Sequence, residues 1–173
     1  MAAQEDKEDA ARRDRGPGQA DTAGVVTHPP LVYLGGLLLG YGADWLLDLP
    51  TLPERSASGG LWLGLALGGF GLLLIAWAGG WFIGAGTPLP PHRPTTALVT
   101  EGPYRRSRNP IYLGMALIYL GVVCATASLG ILLLFPGVIL VMEFGVIRRE
   151  ERYLERKFGA PYRDYKARVR RWI

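Results

Sequence analysis

Residues 109–147, NPIYLGMALIYLGVVCATASLGILLLFPGVILVMEFGVI, decide the architecture. Glu143 is the one charged residue among these 39. As a single helix rising about 1.5 Å per residue, the stretch would extend nearly 60 Å. That is about twice the ~30 Å hydrocarbon thickness of a bilayer. It therefore holds two spans, and the break falls at Thr126-Ala127-Ser128-Leu129-Gly130, the small and polar interruption. Pro136 is expected to kink the second of the two.

Working outward, two further apolar blocks precede this one, Val25 to Ala43 and Ser56 to Pro91. Together they predict an all-α, polytopic membrane protein. Its four transmembrane helices lie at about 30–47, 60–83, 110–126 and 129–147. The last two form a C-terminal helical hairpin, followed by amphipathic tail helices. Glycines 64, 68, 69 and 71 in the second span read as helix-packing positions. Asp44 and Asp48 mark the place where the first span reaches water. Residues 1–24 are polar and charged and lack the apolar centre of a signal peptide, and the N-terminal tail, residues 1–28, is expected to be disordered. Residues 29–173 form one membrane domain.

Charge orients it. With four spans, the N-terminus, the 84–108 loop and the 148–173 tail share one side, and they carry eighteen of the nineteen Lys/Arg. Arg55 alone lies opposite. The positive-inside rule makes the richer side cytoplasmic, and the composition suggests the inner membrane of a bacterium. The tail has ten Lys/Arg against four acids, which suits anionic headgroups of the lipid bilayer. In the final segment Tyr162, Tyr165, Val169 and Trp172 recur at helical spacing opposite the basic residues, the pattern of a helix lying in the interface. No nucleic-acid module fits in such a tail. A lone cysteine, Cys124, excludes an internal disulfide and a cysteine-rich metal site, and no metal is expected. His28 and His92 are isolated beside prolines. No protein partner is legible.

The 84–108 loop has prolines at 88, 90, 91, 94 and 103, a density that no continuous helix survives. Long structureless connections are often functional. Because the hairpin returns, it brings Arg108–Tyr112 and Arg148–Glu151 to one membrane face. Asn109 and Pro110 suit the cap and first turn of the third span. Taken singly, the asparagine reads as a cap, the arginines as topology signals and the glutamates as a solvated face.

Jointly, LVTEGPYRRSRNPIYLG and REERYLERKFGAPYRDYKARVRRW, separated by a hairpin, resemble the isoprenylcysteine carboxyl methyltransferase family, itself related to phospholipid N-methyltransferases. The match runs through Gly102, Tyr104, Arg108, Pro110, Tyr112, Gly114, Glu150, Glu151, Leu154, Phe158, Gly159, Tyr162 and Tyr165. The resemblance covers roughly residues 95 to 170. It implies a membrane methyltransferase using S-adenosylmethionine. Thr96, Ala97, Leu98, Val99 and Tyr104 would contact the cofactor. Asn109, Pro110, Ile111 and Tyr112 would form a second wall, and Glu150 would complete it. Arg148 and Arg149 would stand at the mouth facing the membrane, with Glu151 the nearest base for a thiol or amine acceptor.

Two positions depart from the family pattern. Asn109 replaces a histidine and cannot titrate near neutral pH, so it binds rather than accepts a proton. Val146 stands where prenylcysteine-specific enzymes carry a substrate arginine. The implied acceptor is a lipophilic or small carboxylate, thiol or amine. Two competing readings are an NADPH-dependent sterol- or isoprenoid-type membrane reductase and a non-enzymatic membrane subunit with a basic interaction tail.

Overall fold

The computed structural model describes residues 23–52, 57–86 and 95–173. Of the tail expected to be disordered, residues 1–28, the first 22 lie outside the described residues, as do Arg55, His92 and the prolines at 88, 90, 91 and 94; residues 23–28 are described, with Ala23 buried and the Val26 N–H donating to the Gly145 carbonyl at 3.2 Å. Among the described residues six α-helices follow one another, α1 Pro29–Leu47, α2 Ala57–Gly84, α3 Pro110–Thr126, α4 Leu129–Val141, α5 Arg148–Phe158 and α6 Ala160–Arg168. A 3-10 turn, Gly102–Arg105, precedes α3, and a π-helical segment, Met142–Ile147, joins α4 to α5. No strand occurs among the described residues.

Among the described residues three helices are long and apolar enough to cross a bilayer: 29–47, 58–84 and the continuous run from Leu129 to Phe158. The shorter α3, at 17 residues, sits at the lower limit of a span. The chain is an integral membrane protein. The run from Leu129 exceeds the hydrocarbon thickness, so we take its spanning part as 129–147, ending at the charged residues from Arg148 onward. Leu39, Trp45, Leu46, Leu73 and Ile83 are exposed. A soluble protein would bury such side chains, whereas here they are available to acyl chains.

Packing pairs α2 with α3 and α1 with α4, and backbone proximity explains both pairs. A Cβ on Gly71 would lie 2.5 Å from the Gly114 carbonyl oxygen, and one on Gly64 would lie 2.5 Å from that of Gly121. The indices run in opposite directions, so α2 and α3 are antiparallel with two glycine contacts seven residues apart. Of the glycines singled out in the sequence, Gly64 and Gly71 lie in this seam, and the Gly68 backbone borders it, since a Cβ on Gly121 would lie 3.0 Å from the Gly68 nitrogen, while a Cβ on Gly68 or Gly69 themselves would meet nothing. Lipid supplies no hydrophobic drive between helices, so close van der Waals approach must hold them.

The hairpin turn falls where the sequence places it. Ala127 takes a left-handed conformation at φ 50°, and Ser128 caps α4 by accepting from the Ile131 N–H at 3.0 Å. Asp44 of α1 does more than mark water. Its Oδ1 accepts from the Gly130 N–H at 2.7 Å and its Oδ2 from the Ser128 hydroxyl, fastening α1 to the start of α4. Pro136 lies inside a helix that continues past it. The departure from α geometry comes later, at Met142–Ile147, where the wider π turn rephases everything downstream. Tyr119 occupies the bundle centre, with its hydroxyl on the Ile131 carbonyl at 2.8 Å and its ring against Tyr33 and Phe135.

The tail differs from expectation. Tyr162 and Tyr165 are buried at 1% and 5% exposure, packed with Tyr104 and Ala78. The aromatic face of α6 therefore covers protein rather than lying in the membrane interface. Helix α6 ends at Arg168 and Val169 is extended, so Trp172 leaves that face and packs on the other core cluster.

The glycine seam makes a direct prediction. Gly71→Ala should lower the stability of the detergent-purified protein by about 1–3 kcal/mol, the usual cost of overpacking. Gly68→Ala, where the new methyl meets nothing, should be near neutral. Thermal unfolding of the two variants side by side checks this.

Candidate active site

The hairpin's two ends meet at one membrane face, as its return requires. Arg108 lies in the bend just before α3 and Tyr112 in its first turn, and both reach the glutamates at the start of α5. Glu151 pairs with Arg108 at 3.1 Å, and the Tyr112 hydroxyl donates to Glu150 Oε1 at 2.7 Å. Above them a cavity of about 450 Å³ opens, within the range of small-molecule sites.

Each wall has a local cause. Gly102 takes φ +59°, beside the Trp81 indole, and starts the 3-10 turn that lowers Tyr104 into the protein. The Tyr104 ring lies 5.2 Å from that of Phe82 on α2, and its carbonyl accepts from the Tyr165 hydroxyl at 2.8 Å. Burial raises the phenols of Tyr104, Tyr162 and Tyr165 far above their ordinary range, so all three remain neutral donors. Pro110 opens α3. Asn109 takes the N-cap position, as the sequence placed it, but its side chain makes no capping hydrogen bond. Its Nδ2 donates instead to the Arg171 carbonyl at 3.1 Å.

That contact belongs to a C-terminal strap. The Arg108 N–H donates to the Arg170 carbonyl at 3.0 Å, and the Ser107 hydroxyl donates to the Arg171 carbonyl at 3.3 Å. The Arg171 guanidinium closes the strap. Its Nε and Nη2 reach the two Glu151 oxygens at 3.0 and 2.6 Å, and its Nη1 reaches Glu143. The hydrogen bond to Glu151 raises the Arg171 pKa further, so it stays charged.

The two adjacent glutamates differ. Glu151 is buried at 6% exposure with both oxygens on arginines. Glu150 faces the cavity, and burial pushes its carboxyl up to about 7, opposed by the Tyr112 hydrogen bond and aided by the Glu151 charge.

Of the residues singled out in the sequence, Ala97, Leu98, Val99, Tyr104, Asn109, Pro110, Ile111, Tyr112, Glu150 and Glu151 all line this one cavity. Three do not. Thr96 turns its hydroxyl to the Gly86 carbonyl at 3.0 Å. Arg148 lies over the Phe144 ring and pairs with Glu143 at 3.0 Å. Arg149 donates to the Gly24 carbonyl at 3.1 Å. Val146 is fully buried in the core. Glu151 is on the wall, but clamped between two guanidiniums it serves as a strut and is poorly placed to take a proton.

The sequence reading missed Ile75, Gly79 and Phe82 of α2, Met115 of α3, Tyr153, Tyr162 and Tyr165, and residues 28–30. The first three recur at spacings of four and three, the signal of a common helix face. Met115 lies one turn after Ile111. Among the described residues no group of His, Cys, Asp and Glu could hold a metal ion.

Comparisons with known proteins bear on the family. A family model described as phospholipid methyltransferase matches residues 60–161, well over half the chain. A protein of Haemophilus influenzae described only as uncharacterized is 48% identical over 66 residues, covering 36% of this chain and all of that protein. No solved structure matches significantly.

Glu151→Gln should leave two guanidiniums, one of them buried, short of a counter-charge. Breaking a buried pair from one side costs about 3–5 kcal/mol. Arg171→Gln, at a partly exposed partner, should cost less. Denaturation midpoints of the two variants in detergent test the ranking, and equal midpoints would refute the strut role.

Proposed function

The chain belongs to the phospholipid methyltransferase family, and on that premise we propose that it transfers a methyl group from S-adenosylmethionine to a lipophilic or small acceptor at the membrane–cytosol interface. Its manner is that of the isoprenylcysteine carboxyl methyltransferases, and the acceptor is a carboxylate, thiol or amine. The observation that carries the reading is the single cavity joining residues 97–99, Tyr104, 109–112 and Glu150. Its composition suits that cofactor, with a carboxylate for an ammonium or ribose hydroxyls and aromatic and branched side chains for an adenine face. When bound, the cofactor supplies a methyl group on a sulfonium, which leaves as the acceptor's lone pair forms the new bond.

The protein's own part is orientation and exclusion of water. Leu98, Val99, Phe82 and Ile111 make the lining apolar. Ile75, Gly79 and Met115 continue the cavity down α2 and α3, toward the side from which a lipophilic acceptor would arrive. Glu150, held by Tyr112, fixes the polar end. An acceptor that arrives as an anion needs no base, which fits a site whose Glu151 is already committed to arginines. The distribution of Lys and Arg supports a cytoplasmic placement of both termini, in the inner membrane of a bacterium.

Calorimetry on the purified protein tests the reading. S-adenosylhomocysteine should bind at micromolar concentration, and Glu150→Ala should abolish binding without unfolding the protein. A folded sample that ignores it and binds NADPH instead would overturn the methyltransferase reading.

A pH profile follows from the raised carboxyl. Without ligand, Glu150 takes up its proton as pH falls through about 7. A cation on the ligand needs the ionised form. Affinity should therefore be full above that value and fall about tenfold per unit below it, a slope lost in Glu150→Gln. Folding has the opposite sign. A carboxyl raised in the folded state favours folding most when protonated, and that contribution is lost as pH rises through about 7.

A further inference from the structure

Residues 23–28 precede the first span and belong to no helix, yet they are held against the protein. The Val26 N–H donates to the carbonyl of Gly145, in the π-helical segment, at 3.2 Å. The Gly24 carbonyl accepts from Arg149 of α5 at 3.1 Å. Gly24 turns at φ +57°, and Ala23 beside it is 8% exposed and lines the cavity. At the other end of the segment His28 and Pro29 line the same cavity. The flap so formed touches the site at both ends and is fastened to the hairpin at its middle.

A site that excludes water must open to exchange its ligands, and the walls differ in what opening them would break. Parting α2 from α3 would undo the glycine seam. Parting α3 from α5 would undo the Arg108–Glu151 pair and the Tyr112–Glu150 hydrogen bond. Residues 95–99 are held from within, by the Thr95 N–H on the Tyr153 hydroxyl at 3.2 Å and by Leu98 and Val99 in the Tyr104 cluster. The flap can move without breaking any of these. Val25 packs on the core, but Val26 is 65% exposed, and Arg149 is an exposed side chain. Segments with few buried apolar contacts and exposed hydrogen bonds are the ones that open locally.

We propose that residues 23–28 gate the cavity, with Arg149 as the latch. The gate is closed in this structure, and ligands enter and leave when the Gly24 and Val26 contacts part. Arg149 is thus a positioning residue, acting on a ligand only through the Gly24 carbonyl. This gives a role to an arginine that the sequence brought to the mouth and the structure turns away from the cavity. In naming the passing ligands as cofactor and acceptor the inference rests on the methyltransferase reading above; the gate itself rests on geometry.

Two measurements on the intact protein test it. In the first, Met115→Cys places a thiol on the cavity wall, with Cys124→Ala removing the native one. Its rate of labelling by a charged methanethiosulfonate reagent reads access from water. Adding Arg149→Gln removes one hydrogen bond and should raise that rate about 3- to 10-fold. Arg148→Gln, at a residue that pairs with Glu143, should leave it unchanged. In the second, the gate is locked. A Cβ on Gly145 would lie 3.9 Å from the Val26 Cβ, within the range of about 3.5–4.5 Å that a disulfide spans. Oxidised Val26→Cys/Gly145→Cys, with Cys124→Ala, should release bound S-adenosylhomocysteine about tenfold more slowly than the same protein after reduction. Labelling that ignores Arg149→Gln, or equal release by the oxidised and reduced forms, would overturn the proposal. If the wild-type protein fails to bind S-adenosylhomocysteine, the cofactor reading falls. The labelling rate decides the gate in that case, and also where the double variant fails to fold.

Discussion

The polar end of this bundle is organised around Glu151. One buried carboxylate holds Arg108 at the start of α3 and Arg171 in the C-terminal strap. It thereby joins the two ends of a hairpin whose own turn lies at the far side of the membrane. A pair of this kind is not a general stabiliser, since desolvation offsets most of the attraction. Its contribution is specificity of position. Two guanidiniums on one carboxylate fix where the strap crosses. The strap in turn receives the Arg108 N–H, the Ser107 hydroxyl and the Asn109 amide. The loop that carries Tyr104 into the cavity is thus tied at its exit by the last residues of the chain.

Below that knot the constraint is different. Within the hydrocarbon there is no water to satisfy a polar group, so the spans are held by closeness rather than charge. Gly64 and Gly71 lie against Gly121 and Gly114, which sets α2 near enough to α3 for Ile75, Gly79 and Phe82 to complete the cavity wall. The seam and the ion cluster therefore act on the same site from opposite directions. One fixes how far apart the walls stand, and the other fixes how the polar end is arranged.

Much of this was legible in the sequence. A 39-residue apolar run cannot be one span, and Thr126 to Gly130 was its weakest point. That alone implied that Arg108–Tyr112 and Arg148–Glu151 would meet. What was not legible depends on helix phase and on chain direction after a turn. The π segment at Met142–Ile147 rotates everything that follows, so the phase of Arg148 and Arg149 could not be counted from Pro136, and both point away from the cavity. Gly159 at φ +60° redirects α6, so that Tyr162 and Tyr165 cover Tyr104. Their spacing showed an apolar face but could not say whether lipid or protein would cover it. Asn109 stands at the cap position the local pattern implied, but the partner of its side chain, Arg171, is 62 residues away and no local pattern shows it.

Phase also explains how two neighbouring glutamates take different roles. Successive residues on a helix point about 100° apart. Glu151 therefore turns to the arginines while Glu150 turns to Tyr112. The first becomes a strut because two guanidiniums saturate it. The second, with a phenol as its hydrogen-bond partner, remains at the edge of ionisation and available to a ligand. A site that binds a cation near a membrane needs such a carboxyl, dry enough to act strongly and not already neutralised by a fixed arginine. The strut makes this possible, because it draws Arg108 to Glu151 and so keeps its charge from being spent on Glu150.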